Sequence, residues 1–158
     1  MSLEIERKFL LKTTQPLQGL AGVVIRQGYL SDTSQANLRV RIKAEKAYLT
    51  VKSKTVGLVR KEFEYEIPVQ DAEEMLSQFC QKPLVEKTRY KLEYAGYIWE
   101  IDVFVGENAG LVLAEVELAS AEDTLDLPAW IDREVTQDKR FYNAYLAKHP
   151  YSQWKDEL

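Results

Sequence analysis

Charged and apolar residues alternate along most of this chain, and within most alternating segments the charges share one sign. "NLRVRIK" sets Arg39, Arg41 and Lys43 against Leu38, Val40 and Ile42. "YLTVKSK" sets Lys52 and Lys54 against Leu49 and Val51, and "EKTRYKLEY" sets Lys87, Arg89 and Lys91 against Tyr90 and Leu92. The acids follow the same rule. "VRKEFEYEI" carries Glu62, Glu64 and Glu66, with Arg60 ahead of them; "YIWEIDVFV" carries Glu100 and Asp102; "LVLAEVEL" carries Glu115 and Glu117. The opening "LEIERKFLLK" places Glu4, Glu6 and Lys8 on one side, with Ile5 and Phe9 on the other. Period two is the signature of a strand with two unlike faces. With "VVIRQGYL" (23–30) these segments predict eight strands.

Like charges side by side repel, so a solvated sheet face usually mixes signs. At 4 Å the repulsion is about 1 kcal/mol in water and about 4 kcal/mol at an effective dielectric near 20. A flat sheet this wide would also leave two edges to protect, and closure removes them. A barrel of about eight strands has an interior that can hold side chains or one small ligand. The predicted fold is therefore α+β: a closed eight-stranded antiparallel β-barrel with flanking helices, as one domain over 1–158. Ala95-Gly96 and the 106–110 segment flank the 97–105 strand and predict an antiparallel meander. Asp71 is placed to cap a helix carrying Ala72, Met75, Leu76 and Phe79 on one face. Asp138 is placed to cap another carrying Phe141, Tyr142, Tyr145 and Leu146, ended by Pro150. A shorter helix is expected near 16–21. The two longer helices are expected to cover part of the outer apolar face.

If the charged face points inward, the interior holds a basic region and a carboxylate region. Arg and Lys together suit phosphate oxygens. Carboxylates without His or Cys suit hard cations, Mg²⁺ or Mn²⁺. A metal-bound polyphosphate satisfies both. Other chemistries are poorly supplied. The chain has one histidine, one cysteine and seven glycines, with no Walker loop and no dinucleotide fingerprint. His149 reads as a surface residue and Cys80 as packed beside Phe79. A net charge of −4 disfavours a nucleic-acid coat. No segment approaches the roughly 18 apolar residues of a membrane span. Early charge and lone Cys80 place the expected location in the cytoplasm. The closing "KDEL" spells an ER-retention signal, read as coincidence in the absence of a signal peptide.

"EIERK" at 4–8 matches the E-x-E-x-K signature of the CYTH superfamily, the triphosphate tunnel metalloenzymes. "LRVRI", "TVKSK", "RKEFEYEI", "KTRY", "WEIDVF", "AEVEL" and "DREVTQDKRFYNAYL" follow in the order expected of a member, so the resemblance covers nearly the whole chain. It implies an antiparallel β-tunnel lined with charge, and most resembles bacterial inorganic triphosphatases. By that resemblance Glu4, Glu6 and Glu117 bind a first metal, and Glu100, Asp102 and Glu115 a second that positions water. Lys8, Arg39, Arg41, Lys52, Lys54, Arg60, Lys87 and Arg89 hold phosphates. Lys8, Lys52 and Tyr29 form the catalytic group, with Tyr29 paired to Lys52. The C-terminal helix is expected to plug or gate the tunnel mouth, or to dock by its apolar face. The expected partner is a small triphosphate, with no nucleic acid and no membrane; a homodimer is allowed. Thiamine triphosphatase or class IV-type adenylyl cyclase activity stands as an alternative; each needs room for an organic group beyond the phosphates, and the sequence offers no obvious aromatic clamp for one beyond Tyr29, Tyr48 and Trp99. A non-catalytic polyphosphate-binding module is the alternative of another class.

Overall fold

A computed structural model describes residues 1–158. Its strands are β1 (Ser2–Leu11), β2 (Val23–Asp32), β3 (Ala36–Lys43), β4 (Lys46–Ser53), β5 (Val59–Ile67), β6 (Val85–Tyr94), β7 (Tyr97–Phe104), β8 (Val112–Glu117) and β9 (Ile131–Glu134). Neighbours run β5-β4-β3-β2-β6-β7-β8-β1, and β5 pairs with β1 to close an eight-stranded antiparallel barrel. The expected meander is β6–β7–β8. Its first turn pairs Tyr94 with Tyr97, so Ala95 and Gly96 form a two-residue connection with φ of 50° and 85°. That left-handed pair matches the twist of the flanking strands, and glycine adopts it without a Cβ penalty.

The ninth strand was not legible in the alternation. β1 is longer than the partner on one of its edges. Ser2–Ile5 pair with β5, which then ends, while Phe9 and Leu11 pair with β9 on that same edge. "IDRE" has no strong apolar alternation of its own. It becomes a strand because the backbone groups of β1 beyond Ile5 need partners. Next to it, Val135 donates its N–H to Lys8 O at 2.8 Å, and Lys8 donates its N–H to Thr136 Oγ1 at 3.0 Å. Outside, Arg7 grips Glu134 with two bonds of 2.9 and 2.7 Å. β1 is thereby held at the residue that carries Lys8 inward.

Helix α1 (Val69–Gln78) lies on the outer face of β2–β4 and seals Val40, Ile42 and Ala47 under Ala72, Leu76 and Cys80. Its N-cap is Pro68 rather than Asp71, which falls in the first turn and complements the helix dipole there. Phe79 ends the helix and is 64% exposed, so Cys80 packs with the barrel and not with Phe79. Closeness here depends on Gly28 in β2. A Cβ at that position would lie 2.8 Å from both Cys80 Cβ and Leu84 Cδ2. Cys80 Cβ is anchored to backbone and cannot swing away. Gly28→Ala should therefore cost about 1–3 kcal/mol of stability, the usual range for overpacking. A urea unfolding midpoint equal to that of the wild type would refute the close approach.

The second outer cluster is not covered by a helix. Phe9, Trp99, Ile101, Ala114, Val116 and Ile131 pack under Leu125 and Trp130 from the segment before β9. Phe9 and Trp130 flank Trp99 at centroid distances of 5.5 and 5.6 Å. The predicted C-terminal helix splits in two. Asp138 caps a 3-10 turn, Lys139–Phe141, by accepting from Arg140 N at 3.1 Å; helix α2 then spans Asn143–Lys148. The 16–21 helix is a single 3-10 turn, Gln15–Leu17. The C-terminal segment fills part of the barrel interior. Phe141, Leu146, Ala147 and Trp154 pack against Tyr29, Val85, Phe104, Leu111 and Leu113. Cover on the outside thus comes from α1 and a loop, while α2 serves as a plug.

Candidate active site

Inside the barrel, beside that plug, lies a cavity of about 940 Å³. Only four of its lining residues are hydrophobic, and bases outnumber acids among the charged ones. Glu4, Glu6 and Lys8 of β1, the odd positions of β3, and Lys87 and Arg89 of β6 point into it, two residues apart along each strand as the alternation requires. Glu4, Glu6, Lys8, Tyr29, Arg39, Arg41, Lys52, Lys54, Arg60, Lys87, Arg89, Glu100, Glu115 and Glu117 line it, so the structure brings together every predicted site residue but one. The exception is Asp102, which is 1% exposed and sits behind Lys87 and Arg89.

Register sorts these charges into partners. Like signs run along a strand, but adjacent strands mostly set opposite signs side by side. Arg89 faces Asp102, Lys91 faces Glu100, Lys52 faces Glu62, Lys8 faces Glu115 and Arg60 faces Glu4. Arg89 donates to both Asp102 oxygens, at 2.7 and 2.9 Å, and Lys87 Nζ lies 2.7 Å from Asp102 Oδ2. Burial raises the Asp102 carboxyl, but Lys87 and Arg89 outweigh it and hold Asp102 well below the usual range. Lys52 bonds Glu4 at 3.0 Å and approaches Glu62 at 3.5 Å. Lys8 lies 3.5 Å from Glu115, donates to Phe141 O at 3.4 Å, and stands 5.2 Å from the Tyr142 ring.

Three places on the cavity wall break the rule. Across β7–β8, Glu100 faces Glu115, but Arg89 lies 3.4 Å from the first and Lys8 3.5 Å from the second. On β3, Arg39 and Arg41 have only Tyr29, Gln27, Thr50 and Tyr48 opposite them on the neighbouring strands. Arg39 reaches over to Glu64 at 3.6 Å. Arg41 makes no ion pair; its Nε donates to Gln27 Oε1 at 2.8 Å. Burial, then Arg39 and Arg89, pull the Arg41 guanidinium down to about 9. Lys87 is pushed down to about 7 by burial, with Asp102 opposing and Arg89 and Arg41 adding to the fall. On the opposite wall, Glu6 faces Glu117 directly across β1–β8, and neither is ion-paired. Burial and then Glu115 raise Glu6 to about 7; burial, Glu4 and Glu100 raise Glu117. Burial and the neighbouring Glu4 raise Glu62 to about 7 as well, and its buried Oε2 has no hydrogen bond. One wall is short of anions and the other short of cations.

No three carboxylates converge as a finished metal cage. The donor set nevertheless suits a hard divalent ion: Glu4, Glu6, Glu62 and Glu117 supply only oxygen, and their mutual repulsion is what a dication would relieve. In the second predicted set the acids already serve bases, Asp102 as above and Glu100 with Arg89 Nη1 at 3.4 Å.

Tyr29 is corrected. Its hydroxyl accepts from Gln27 Nε2 at 3.3 Å and its ring packs in the apolar plug, whereas Lys52 is held by Glu4 and Glu62; the Tyr29–Lys52 pair is not made. Trp99 is fully buried in the outer cluster and cannot clamp an organic group in the cavity. His149 is exposed but also lines the cavity, 4.7 Å from the Tyr145 ring, so it is not a plain surface residue. Sequence reasoning missed Gln27 and Asn143. Gln27 is fully buried, and Asn143 accepts from Lys87 Nζ at 2.9 Å and from Gln27 Nε2 at 3.4 Å. The signal for Gln27 was a lone amide on the inward parity of "VVIRQGYL".

Comparison with known proteins agrees with this architecture. The model of the CYTH domain matches residues 2–142. An inorganic triphosphatase of Acetivibrio thermocellus is 46% identical over 156 residues, covering 99% of this chain and 100% of that protein. One of Nitrosomonas europaea is 43% identical over 148 residues, covering 91% and 96%. A crystal structure of an inorganic triphosphatase superposes with a TM-score of 0.69 at 40% identity, covering 93% of this chain and 95% of that one.

Proposed function

This chain belongs to the CYTH family, and from that premise we propose that it is an inorganic triphosphatase, hydrolysing tripolyphosphate to pyrophosphate and phosphate. The observation that carries the reading is the double imbalance within one cavity. Arg41 lacks an acid and the Glu6–Glu117 pair lacks a base. A triphosphate carrying a divalent cation supplies both missing charges at once.

Arg39, Arg41, Lys87 and Arg89 are assigned to the phosphate oxygens, with Lys8 where the basic and acidic walls meet. Asp102 fixes the directions of Arg89 and Lys87 from behind, so less of their motion is lost when substrate binds. Fixed cations in a site shielded from bulk water stabilise charge spreading over the transferred phosphoryl group, which is the main catalytic need in this reaction class. Glu4, Glu6 and Glu117 would hold a Mg²⁺ or Mn²⁺ ion, which neutralises the substrate and polarises its oxygens when bound. For a second ion, Glu100 and Glu115 are the oxygens facing the cavity, because Asp102 is committed to two bases. Two further bases border the cavity: exposed Lys54 is 3.6 Å from Asp32, and Arg60, opposite Glu4 in register, donates to Ser53 O at 2.9 Å. They are assigned to steering the polyanion inward.

Phosphate release from tripolyphosphate should require added Mg²⁺ or Mn²⁺ and stop with excess EDTA. A panel with thiamine triphosphate and ATP should be turned over more slowly, since Trp99 is buried outside the cavity and the Tyr29 ring is packed in the plug. Full turnover in EDTA, or cyclic AMP as the main product from ATP, would overturn the proposal.

A further inference from the structure

The bases assigned to phosphate repel one another, and something must hold them in place before the ligand arrives. Asp102 does this for Arg89 and for one side of Lys87. The other side of Lys87 and the whole of Arg41 are held by neutral amides. Arg41 Nε donates to Gln27 Oε1 at 2.8 Å; Gln27 Nε2 donates to Asn143 Oδ1 at 3.4 Å; Lys87 Nζ donates to the same Asn143 oxygen at 2.9 Å. Gln27 and Asn143 come from different elements, β2 and α2, so the chain of bonds joins the barrel wall to the plug.

Amides suit this task better than acids. A guanidinium has five N–H donors. Gln27 occupies only the Nε–H and leaves both Nη groups, the fork that matches phosphate oxygens, without a protein partner. A carboxylate at position 27 would orient Arg41 equally well but cancel its charge. Asn143 spaces Lys87 in the same way, accepting one of its three N–H bonds without adding a negative charge. Gln27 is fully buried, and a buried amide is costly unless its hydrogen bonds are made. Its position is therefore well defined.

We propose that Gln27 and Asn143 are positioning residues: they orient Arg41 and Lys87 toward the polyanion and make the C-terminal segment a working part of the anion site. The identity of the ligand rests on the triphosphatase reading; the positioning role does not.

The test is a pair of double-mutant cycles on the full chain. Gln27→Met keeps the volume and removes the bonds, and it is combined with Arg41→Ala. Asn143→Ala is combined with Lys87→Ala. Each cycle is read twice, as tripolyphosphate affinity by calorimetry in EDTA and as kcat/KM with Mg²⁺. If Gln27 acts through Arg41, Gln27→Met alone should weaken the ligand about 10-fold, within the range of coupling energies between contacting residues. On top of Arg41→Ala it should change affinity by no more than about 2-fold. The Asn143 and Lys87 cycle should behave alike. A merely structural role would give effects that multiply, and that result, or wild-type behaviour of Gln27→Met, overturns the proposal. Coupling in affinity without any hydrolysis by the wild type would leave this inference standing and refute the triphosphatase reading. Hydrolysis with fully multiplicative effects would do the reverse.

Discussion

Arg41→Ala should lower kcat/KM for tripolyphosphate by about 10²–10³-fold while leaving the fold intact, an effect of the size seen when one preorganised donor is removed from a transition-state site. The expectation follows from what Arg41 does in the absence of ligand. It is a half-buried cation with no acid beside it, pressed by Arg39 and Arg89. Its one protein bond is to Gln27. Deleting it removes a repulsion and a hydrogen bond together, each on the order of 1 kcal/mol in such a setting. The melting temperature should thus stay within about 4 °C of the wild type, since 1 kcal/mol moves a domain of this size by about 2–4 °C. The two measurements must be made side by side. Undiminished turnover would remove Arg41 from the site, and activity lost only in step with unfolding would assign it to structure.

Glu117→Gln is the second large effect. It should reduce Mg²⁺-dependent turnover by on the order of 100-fold or more, since loss of even an outer-shell partner of a metal commonly costs 10–100-fold. The clearer readout is binding. An ion held by the native state alone stabilises it by about 2.7 kcal/mol at 100 times Kd, so Mn²⁺ should raise the wild-type melting temperature by about 5–10 °C. Glu117→Gln should lose most of that shift. In metal-free buffer it should be no less stable than the wild type, because it breaks up the unpaired Glu6–Glu117 contact. An unchanged Mn²⁺ shift would place the ion elsewhere.

Much of this was legible in the chain. The strands and the gathering of charge on one face follow from alternation, and edge protection with the cost of crowding like charges argued for closure; that the charged face lines a tunnel for a triphosphate was what the CYTH resemblance implied. Features set by neighbours distant in sequence were not legible. β9 has no pattern of its own and exists because β1 outruns β5. The C-terminal helix was foreseen, but its amphipathic pattern cannot say whether it covers the barrel from outside or fills it. Asp102 and Glu100 look alike as i and i+2 acids, yet one is buried between two bases and the other faces the cavity. Gln27 and Asn143 carry no charge, and an amide announces itself only through the groups it meets.

The sequence by itself determined which side chains share a face and that signs would be grouped, because period-two geometry and like-sign segments are properties of single strands. Only the tertiary structure decided which of those charges are neutralised. Strand order and register set Arg89 beside Asp102 and Lys52 beside Glu62, and set Arg41 and the Glu6–Glu117 pair beside nothing that could balance them. Electrostatic energy depends on distances of a few ångströms between strands far apart in the chain, and no reading of one strand at a time contains them.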